Sequence, residues 1–501
     1  MDPRTPVIVA VGQSIERAES VDGVELMERA ARAALAEAGP LASRVGEVVT
    51  VRMINQRLRA PASRLAERLG LTGVARATTT VGGNTPQWLV TRTAERIWRG
   101  EVDCVLIAGA EPGRSARHGS FPPDEADERD PVLGDDRPGT GPAENAIGLV
   151  LPIHIYPMFE SVLASRAGRD PEQQRRFLGE IMAPFTEVAA SHPYAWFPVE
   201  RSAEEIASVT PDNRLVAEPY TKSMCAIMAV DQGAALVITT AEAAAAAGLA
   251  ERAVFVWAGA SADDVWFPSA RPDPGSSPAI RAAAESLWQA AGVTVDDVAH
   301  LDVYSCFPSA VQIGAEALGL SVTDPRGLTV TGGLPYFGGP GNDYTMHAIA
   351  TTVERIRETG GLGLCTGLGW YVTKHALGLY GAEPPPNGFR VGDTSAAQER
   401  IDAGALEVVE SHEGLARVVA GTVAYDKQGN PVSAPVFAET PDGRRVVAAA
   451  AESELPHLVG RFLVGATVRV SGSPPTYRVE TEASQAEVEV PARDPMAESY
   501  R

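Results

Sequence analysis

The sequence predicts an α/β protein made of two copies of one strand–helix unit, followed by a small C-terminal all-β barrel. Three observations predict it. Residues 6–110 alternate short apolar strands with amphipathic helices, and residues 253–367 repeat the same order. Both stretches end on an apolar strand that contains glycine. Beyond residue 380 the helical period gives way to short strand-like runs separated by hairpin turns.

The first unit opens with a strand at 7–12 and a helix over 23–38 that Gly39 closes. A strand at 46–51 and a helix at 63–71 follow. The second unit gives a strand at 253–258, a helix at 278–291 closed by Gly292, a strand at 299–304 and a helix carrying 313–320. Each unit then has a Thr/Val run ending in a glycine-rich turn, 78–83 and 328–333. A helix and a final strand, 105–110 and 361–367, complete it. Strands alternating with helices require mostly parallel sheets covered on both faces, so the duplication predicts helices sandwiched between two sheets.

A long insertion, about 112–222, interrupts the first unit before its closing strand at 228–238. It is acidic over 123–136 and aromatic later (Tyr156, Phe159, Phe185, Tyr194, Trp196, Phe197). A segment this long outside the repeat points to a functional cover. The expected domains are a first half over 1–250 with the insertion and a second half over 251–380. A stiff linker over 381–404, a barrel over 405–482 and a disordered acidic tail over 483–501 follow. The barrel's turns fall at 426–430 and 441–443, and an OB-like topology is the simplest one for it. It is not expected to bind nucleic acid, because it is not basic and lacks interleaved aromatic residues.

The 501 residues are 45% hydrophobic and 21% charged, ordinary for a soluble globular chain. Acidic side chains outnumber basic ones 64 to 43, a formal charge of −21. That argues against nucleic-acid and anionic-membrane partners. The four cysteines, Cys104, Cys225, Cys306 and Cys365, form no CxxC pair, so neither a metal site nor a disulfide framework is expected. No apolar run is long enough to span a bilayer, and no signal-like segment opens the chain. The expected location is the cytoplasm.

The most telling segment is Val81-Gly82-Gly83-Asn84-Thr85-Pro86-Gln87, between a β-branched run and the helical pattern 88–99. Strand, turn, helix and following strand resemble the nucleophile segment of the thiolase superfamily. There a Cys in a Cys-small-Ser-Gly-x-Gln-type run attacks an acyl-CoA thioester. Laid on Gln87, that Cys falls at Gly82. The run Asp231-Gln232-Gly233-Ala234-Ala235 resembles the family's Asp-Gly-Ala-Ala strand, interrupted by Gln232. The resemblance implies a duplicated five-layer α-β-α-β-α thiolase fold and a cover that helps to bind CoA. It implies CoA or an acyl-CoA as ligand, with no permanently bound cofactor. It also implies a homodimer through the edge strand of the first half, or a monomer where added structure covers that edge. Within the superfamily the chain resembles thiolase-like proteins with an extra C-terminal domain, labelled acetyl-CoA acetyltransferases of lipid metabolism.

Thiolase chemistry needs a nucleophile, a base and donors for the thioester oxygen, and the resemblance assigns them to four loops. At the first, Gly82 cannot be acylated. Its N–H at a helix N-terminus could still polarise an acyl oxygen, with Asn84 as a substrate contact, or the double glycine only makes a tight turn. The second, Asp302-Val303-Tyr304-Ser305-Cys306-Phe307-Pro308, resembles the Asn-Glu-Ala-Phe or His-Asp-Cys-Phe motif. Tyr304 takes the Asn/His position, as a donor or as a packed ring, and Phe307 matches the Phe. In the third, 332–344, Gly339 stands where the Gly-His-Pro loop has its His. Tyr336, Tyr344 and His347 are the nearby candidates, and Asn342 or Asp343 reads as a helix cap. The fourth, Cys365-Thr366-Gly367, matches Cys-x-Gly and implies that Cys365 is an acid/base.

Loss of both the nucleophile and the His argues against two-step thiolysis. Three readings remain. The leading one is an acyltransferase-family enzyme using non-covalent acyl transfer or Claisen-type chemistry, with Cys365 as base. The second is retro-aldol cleavage of a β-hydroxyacyl-CoA by Tyr304 with Tyr336 or Tyr344, as in thiolase-fold aldolases with an OB-containing partner. The third is acyl-CoA binding without catalysis.

Overall fold

The computed structural model describes residues 1–119, 121, 124 and 129–480. Its first half orders the strands Ala75–Thr79, Glu47–Thr50, Cys104–Pro112, Asp231–Thr240 and Pro6–Ile15 side by side. All run parallel except Asp231–Thr240, which is antiparallel to both neighbours. The second half orders Val298–Asp302, Leu362–Gly369, Lys374–Gly381 and Val254–Asp263 in the same way, with Lys374–Gly381 reversed. The same order with the same reversed strand confirms the duplication. It is incomplete in one place, because the Thr/Val run at 328–331 forms no strand to match Ala75–Thr79. The first strands of the halves meet at their edges, Val7 opposite Phe255 and Ile8 opposite Val254.

The helices Thr85–Trp98 and Tyr344–Thr359 pack on one another and on strands of both halves, forming the middle of a thiolase-type layered fold. Their close approach depends on small residues. Gln87 and Thr91 lie on Gly378 and Gly259, where any Cβ would collide with them, and Tyr380 donates 2.6 Å to Gln87 Oε1. The helices Gly23–Ala38 and Pro278–Ala291 cover the outer faces. Their ends follow local chemistry: Asp22 accepts the Glu25 N–H, Ser277 accepts the Ile280 N–H, and Gly292 closes the second helix at φ 72°.

The insertion is built on the helices Pro152–Arg166 and Pro171–Ser191. Buried Glu160 fastens them to the second half, accepting from Tyr220 (2.6 Å), Gln174 (2.6 Å) and Gln312 (2.8 Å). The expected linker is structured: Arg390–Val391 pairs beside Val254–Asp263, and Ser395–Ala403 is helical. The barrel is closed by five strands, Gly414–Gly421, Pro435–Glu439, Arg445–Ala450, Thr476–Val479 and Thr467–Ser471. It docks on the insertion through Ala424–Tyr425 against Leu215–Ala217, with Tyr425 donating to Glu218 Oε1 (2.9 Å) and Thr422 to the Glu218 carbonyl (2.8 Å). The tail assigned to 483–501 lies outside the described residues. None of the helices described is long and apolar enough to cross a membrane.

The edge strand Ala75–Thr79 is taken by the chain itself. Val132–Leu133 of the insertion pairs with it, the Thr78 and Thr80 N–H groups each donating 2.9 Å to the Pro131 and Leu133 carbonyls. An open strand edge is a template for another chain, and this one is occupied. Light scattering is therefore expected to give the mass of a single chain; a stable two-chain mass would contradict this.

Candidate functional site

The four loops converge. Asn342 Oδ1 accepts the Gly82 N–H at 2.9 Å, and Thr345 Oγ1 donates to the Gly83 carbonyl at 2.7 Å. The Tyr304 N–H donates to Thr366 Oγ1 at 2.8 Å. A Cβ on Gly83 would collide with the Tyr304 hydroxyl and lie 2.5 Å from the Leu368 carbonyl. Backbones at a helix N-terminus meet here with almost no side chain between them.

The space beside Gly82 is filled. A Cβ on Gly82 would lie 2.9 Å from both Cε and Nζ of Lys374, and nearer still to Asn84 Oδ1. The Lys374 ammonium donates 2.5 Å to the Val81 carbonyl and 3.5 Å to that of Asp135. Its Nζ sits about 6 Å from two indole rings, 6.0 Å from Trp266 and 5.9 Å from Trp370. Burial pushes its pKa down; Asp263, Asp135 and Asp136 oppose that shift and Arg137 adds to it.

Several expected roles change with these contacts. The Gly82 N–H is not a free oxyanion donor, since Asn342 takes it. Asn342 does not cap the following helix, because its amide spans from Gly82 to the Arg52 carbonyl (2.6 Å). Asp343, at the N-cap position, makes no side-chain cap either. Gly339 lies against Ala226, Ile227 and Leu334. Cys365 is fully buried with Sγ 3.1 Å from Thr352 Oγ1, midway along the Tyr344–Thr359 helix, and burial holds its thiol far above the usual range. Of its motif, Gly367 is the residue that touches Asn84 and approaches Gly83.

The aromatic candidates divide. Tyr344 is committed to packing, its hydroxyl 2.6 Å from Thr331 Oγ1 and 3.2 Å from Asp302 Oδ1. Burial raises that carboxyl to about 6. Phe307 stacks on Tyr156 at 4.5 Å and on Tyr220 at 5.9 Å, joining core to insertion. His347 is buried with Nδ1 2.7 Å from Gln13 Oε1, and burial lowers it to about 3, so it stays neutral and contacts no open space. Asn84 Oδ1 has no hydrogen-bond partner among the described residues, nor has the Tyr336 hydroxyl.

Space follows the same division. Beside Tyr304, Gly367 and Leu368 the void is about 10 Å³, room for one water at most. A groove of about 560 Å³ lies instead between the insertion and the 332–339 loop, lined by Phe197, Arg201, Lys222, Ile227, Pro335 and Tyr336 among others. Among the described residues no three His, Cys, Asp or Glu side chains gather as metal ligands would. Lys374 and Asn342 are the site residues missed as such from sequence. Lys374 is separated by 293 residues from the carbonyl it bonds, though it follows the Cys365–Gly367 motif closely enough to have been a candidate.

No protein-family model and no curated protein matches the chain. Among solved structures it is similar to a monomeric SCP2-thiolase-like protein type 1 from Mycobacterium smegmatis, with 32% identity and a TM-score of 0.83. That match covers 96% of this chain and 100% of the other. The chain belongs to the SCP2-thiolase-like proteins. Two more distant structures share the fold alone. An Ltp2-ChsH2(DUF35) aldolase matches at 19% identity and TM-score 0.61, over 76% of this chain and 99% of the other. An acetyl-CoA acetyltransferase from Syntrophomonas wolfei matches at 16% and 0.55, over 76% and 100%.

In this SCP2-thiolase-like protein Gly82 and Lys374 are coupled by space. Gly82→Cys is expected to cost about 1–3 kcal/mol through overpacking. Lys374→Ala should cost less on that background than alone, with a coupling of at least about 0.5 kcal/mol in urea unfolding. Additive costs would show that the two positions do not compete.

Proposed function

We propose that this SCP2-thiolase-like protein binds an acyl-CoA without thiolase turnover. The observation that carries the reading is the Lys374 side chain in the volume a nucleophile at residue 82 would need. With the Gly82 N–H bonded to Asn342 and Cys365 buried at Thr352, nucleophile, donor and base are all unavailable to a thioester. Removing such groups costs several orders of magnitude in rate.

The groove supports the binding half of the reading. Its apolar floor of Phe197, Ile227 and Pro335 suits a pantetheine arm, and the buried Tyr336 hydroxyl is a ready donor to an amide carbonyl. The rim is of mixed charge, Arg201 and Lys222 against Glu204, Glu205 and Asp212. The two cations are the groups that would meet the phosphates. Calorimetry with CoA and acetoacetyl-CoA is expected to show binding that weakens about tenfold or more in an Arg201→Ala/Lys222→Ala variant, one decade corresponding to about 1.4 kcal/mol. The wild type should not thiolyse acetoacetyl-CoA. Turnover, or no binding of either compound, would refute the reading.

Carbon–carbon bond cleavage is the second reading, and Tyr304 alone favours it, since that residue lines the water-sized void while Tyr344 is tied to Asp302. Aldehyde or ketone release from a β-hydroxyacyl-CoA, lost in Tyr304→Phe, would establish it. No release by the wild type would remove it.

A further inference from the structure

We propose that the groove beside Tyr336 reads the CoA part of its ligand and leaves the acyl group unread, so that free CoA and its short- and medium-chain esters form one ligand class. This selectivity presupposes the CoA reading and follows from how the groove ends. The groove shares no lining residue with the water-sized void at Tyr304. The 334–339 loop gives it a wall at Pro335 and Tyr336, and backbone bonds stitch that loop down. From the insertion, the Trp196 N–H donates 2.7 Å to the Phe337 carbonyl and the Phe197 N–H 3.0 Å to the Tyr336 carbonyl. From the segment after the insertion, the Ile227 N–H donates 3.3 Å to the Leu334 carbonyl, and the Ile227 carbonyl accepts the Gly339 N–H at 2.9 Å. Gln232 Nε2 adds a bond of 3.0 Å to the Phe337 carbonyl.

Rings fill the space behind that loop. Phe337 is fully buried, its ring 5.0 Å from His192, 5.1 Å from His347 and 6.0 Å from Tyr344. Tyr344 in turn meets Tyr304 edge to face at 5.5 Å. These rings occupy the interior from the groove wall to the void at Tyr304. The residues just before the loop are pressed on the helix Pro171–Ser191. A Cβ on Gly332 would lie 2.5 Å from that of Ala189, and one on Gly333 2.8 Å from the Phe185 ring. Packing of this density holds few voids larger than a water, and the void at Tyr304 is itself about 10 Å³. An acyl chain has no room inward of Tyr336.

What the groove does offer addresses groups that every CoA ester shares. The Arg201 and Lys222 side chains make no hydrogen bond or ion pair among the described residues, which leaves them for phosphates. The Tyr336 hydroxyl, buried and unpartnered, suits an amide of the pantetheine arm, and Phe197, Ile227 and Pro335 supply apolar contact for it. A buried methylene strengthens binding about fourfold, so a site enclosing the acyl chain would gain about a thousandfold or more from acetyl to octanoyl. A chain turned out of this groove into water gains nothing of that kind.

Calorimetry of the full-length protein with CoA, acetyl-CoA, butyryl-CoA and octanoyl-CoA, each below its micellar range, tests this. The four dissociation constants should agree within about tenfold, and Tyr336→Phe should weaken all four by a common factor of about three or more, the loss of one hydrogen bond. That change removes only the hydroxyl, and a melting curve confirms the fold. Constants that shift more than about tenfold with chain length would overturn the inference and leave the CoA reading standing. Equal constants unmoved by Tyr336→Phe would overturn it too, by placing the ligand outside the groove. No binding of any of the four would refute the CoA reading itself, and this inference with it.

Discussion

The Lys374 ammonium on the Val81 carbonyl, 2.5 Å away, sets the terms for everything around the central turn. An ammonium taken out of water costs several kcal/mol unless its donors are satisfied and charge is nearby. Two carbonyls, two indole faces and the Asp263, Asp135 and Asp136 carboxylates meet that need. The solution leaves no room for other side chains. Gly369, whose Cβ would lie 3.0 Å from Lys374 Cε, is held small for the same reason as Gly82. The bare backbone at Gly82 and Gly369 and the buried lysine are therefore two sides of one packing solution.

The layered scaffold brings the rest of the chain to this turn. The two central helices begin there, and Thr345 and Asn342 reach across to it. The insertion and the barrel surround it. The insertion pairs with the edge strand at Thr78 and Thr79, and the barrel completes a small sheet with the insertion at Ala217. Glu160 and Glu218, both buried, tie these layers together through Tyr220 and Tyr425. Open space lies at the groove beside Tyr336, with only a water-sized void near the turn.

The fold was largely legible because its signals are local. Asp22, Ser277 and Gly292 cap the helices where the pattern places their ends. The structured linker was missed because Arg390–Val391 is a strand only by pairing with Val254–Asp263, a tertiary effect. The site was legible as a convergence of loops and illegible in its contacts. Strand alternation puts Cys365 and Gly367 on one face, but two residues of strand span about 6.6 Å. Gly367 thus meets Thr345 at the helix start, while Cys365 meets Thr352 about two turns further along. Asn342 read as a cap because its residue type favours caps, and a long-range partner at Gly82 decided otherwise. Lys374 carried no motif of its own.

With three lysines in the chain, the central claim has a direct spectroscopic test. Protein labelled with [15N]lysine is expected to give one Nζ signal protected from solvent exchange, shifted from the other two and absent in Lys374→Arg. Three rapidly exchanging signals, all behaving as exposed amines, would contradict the claim that Lys374 is buried against the Gly82 turn.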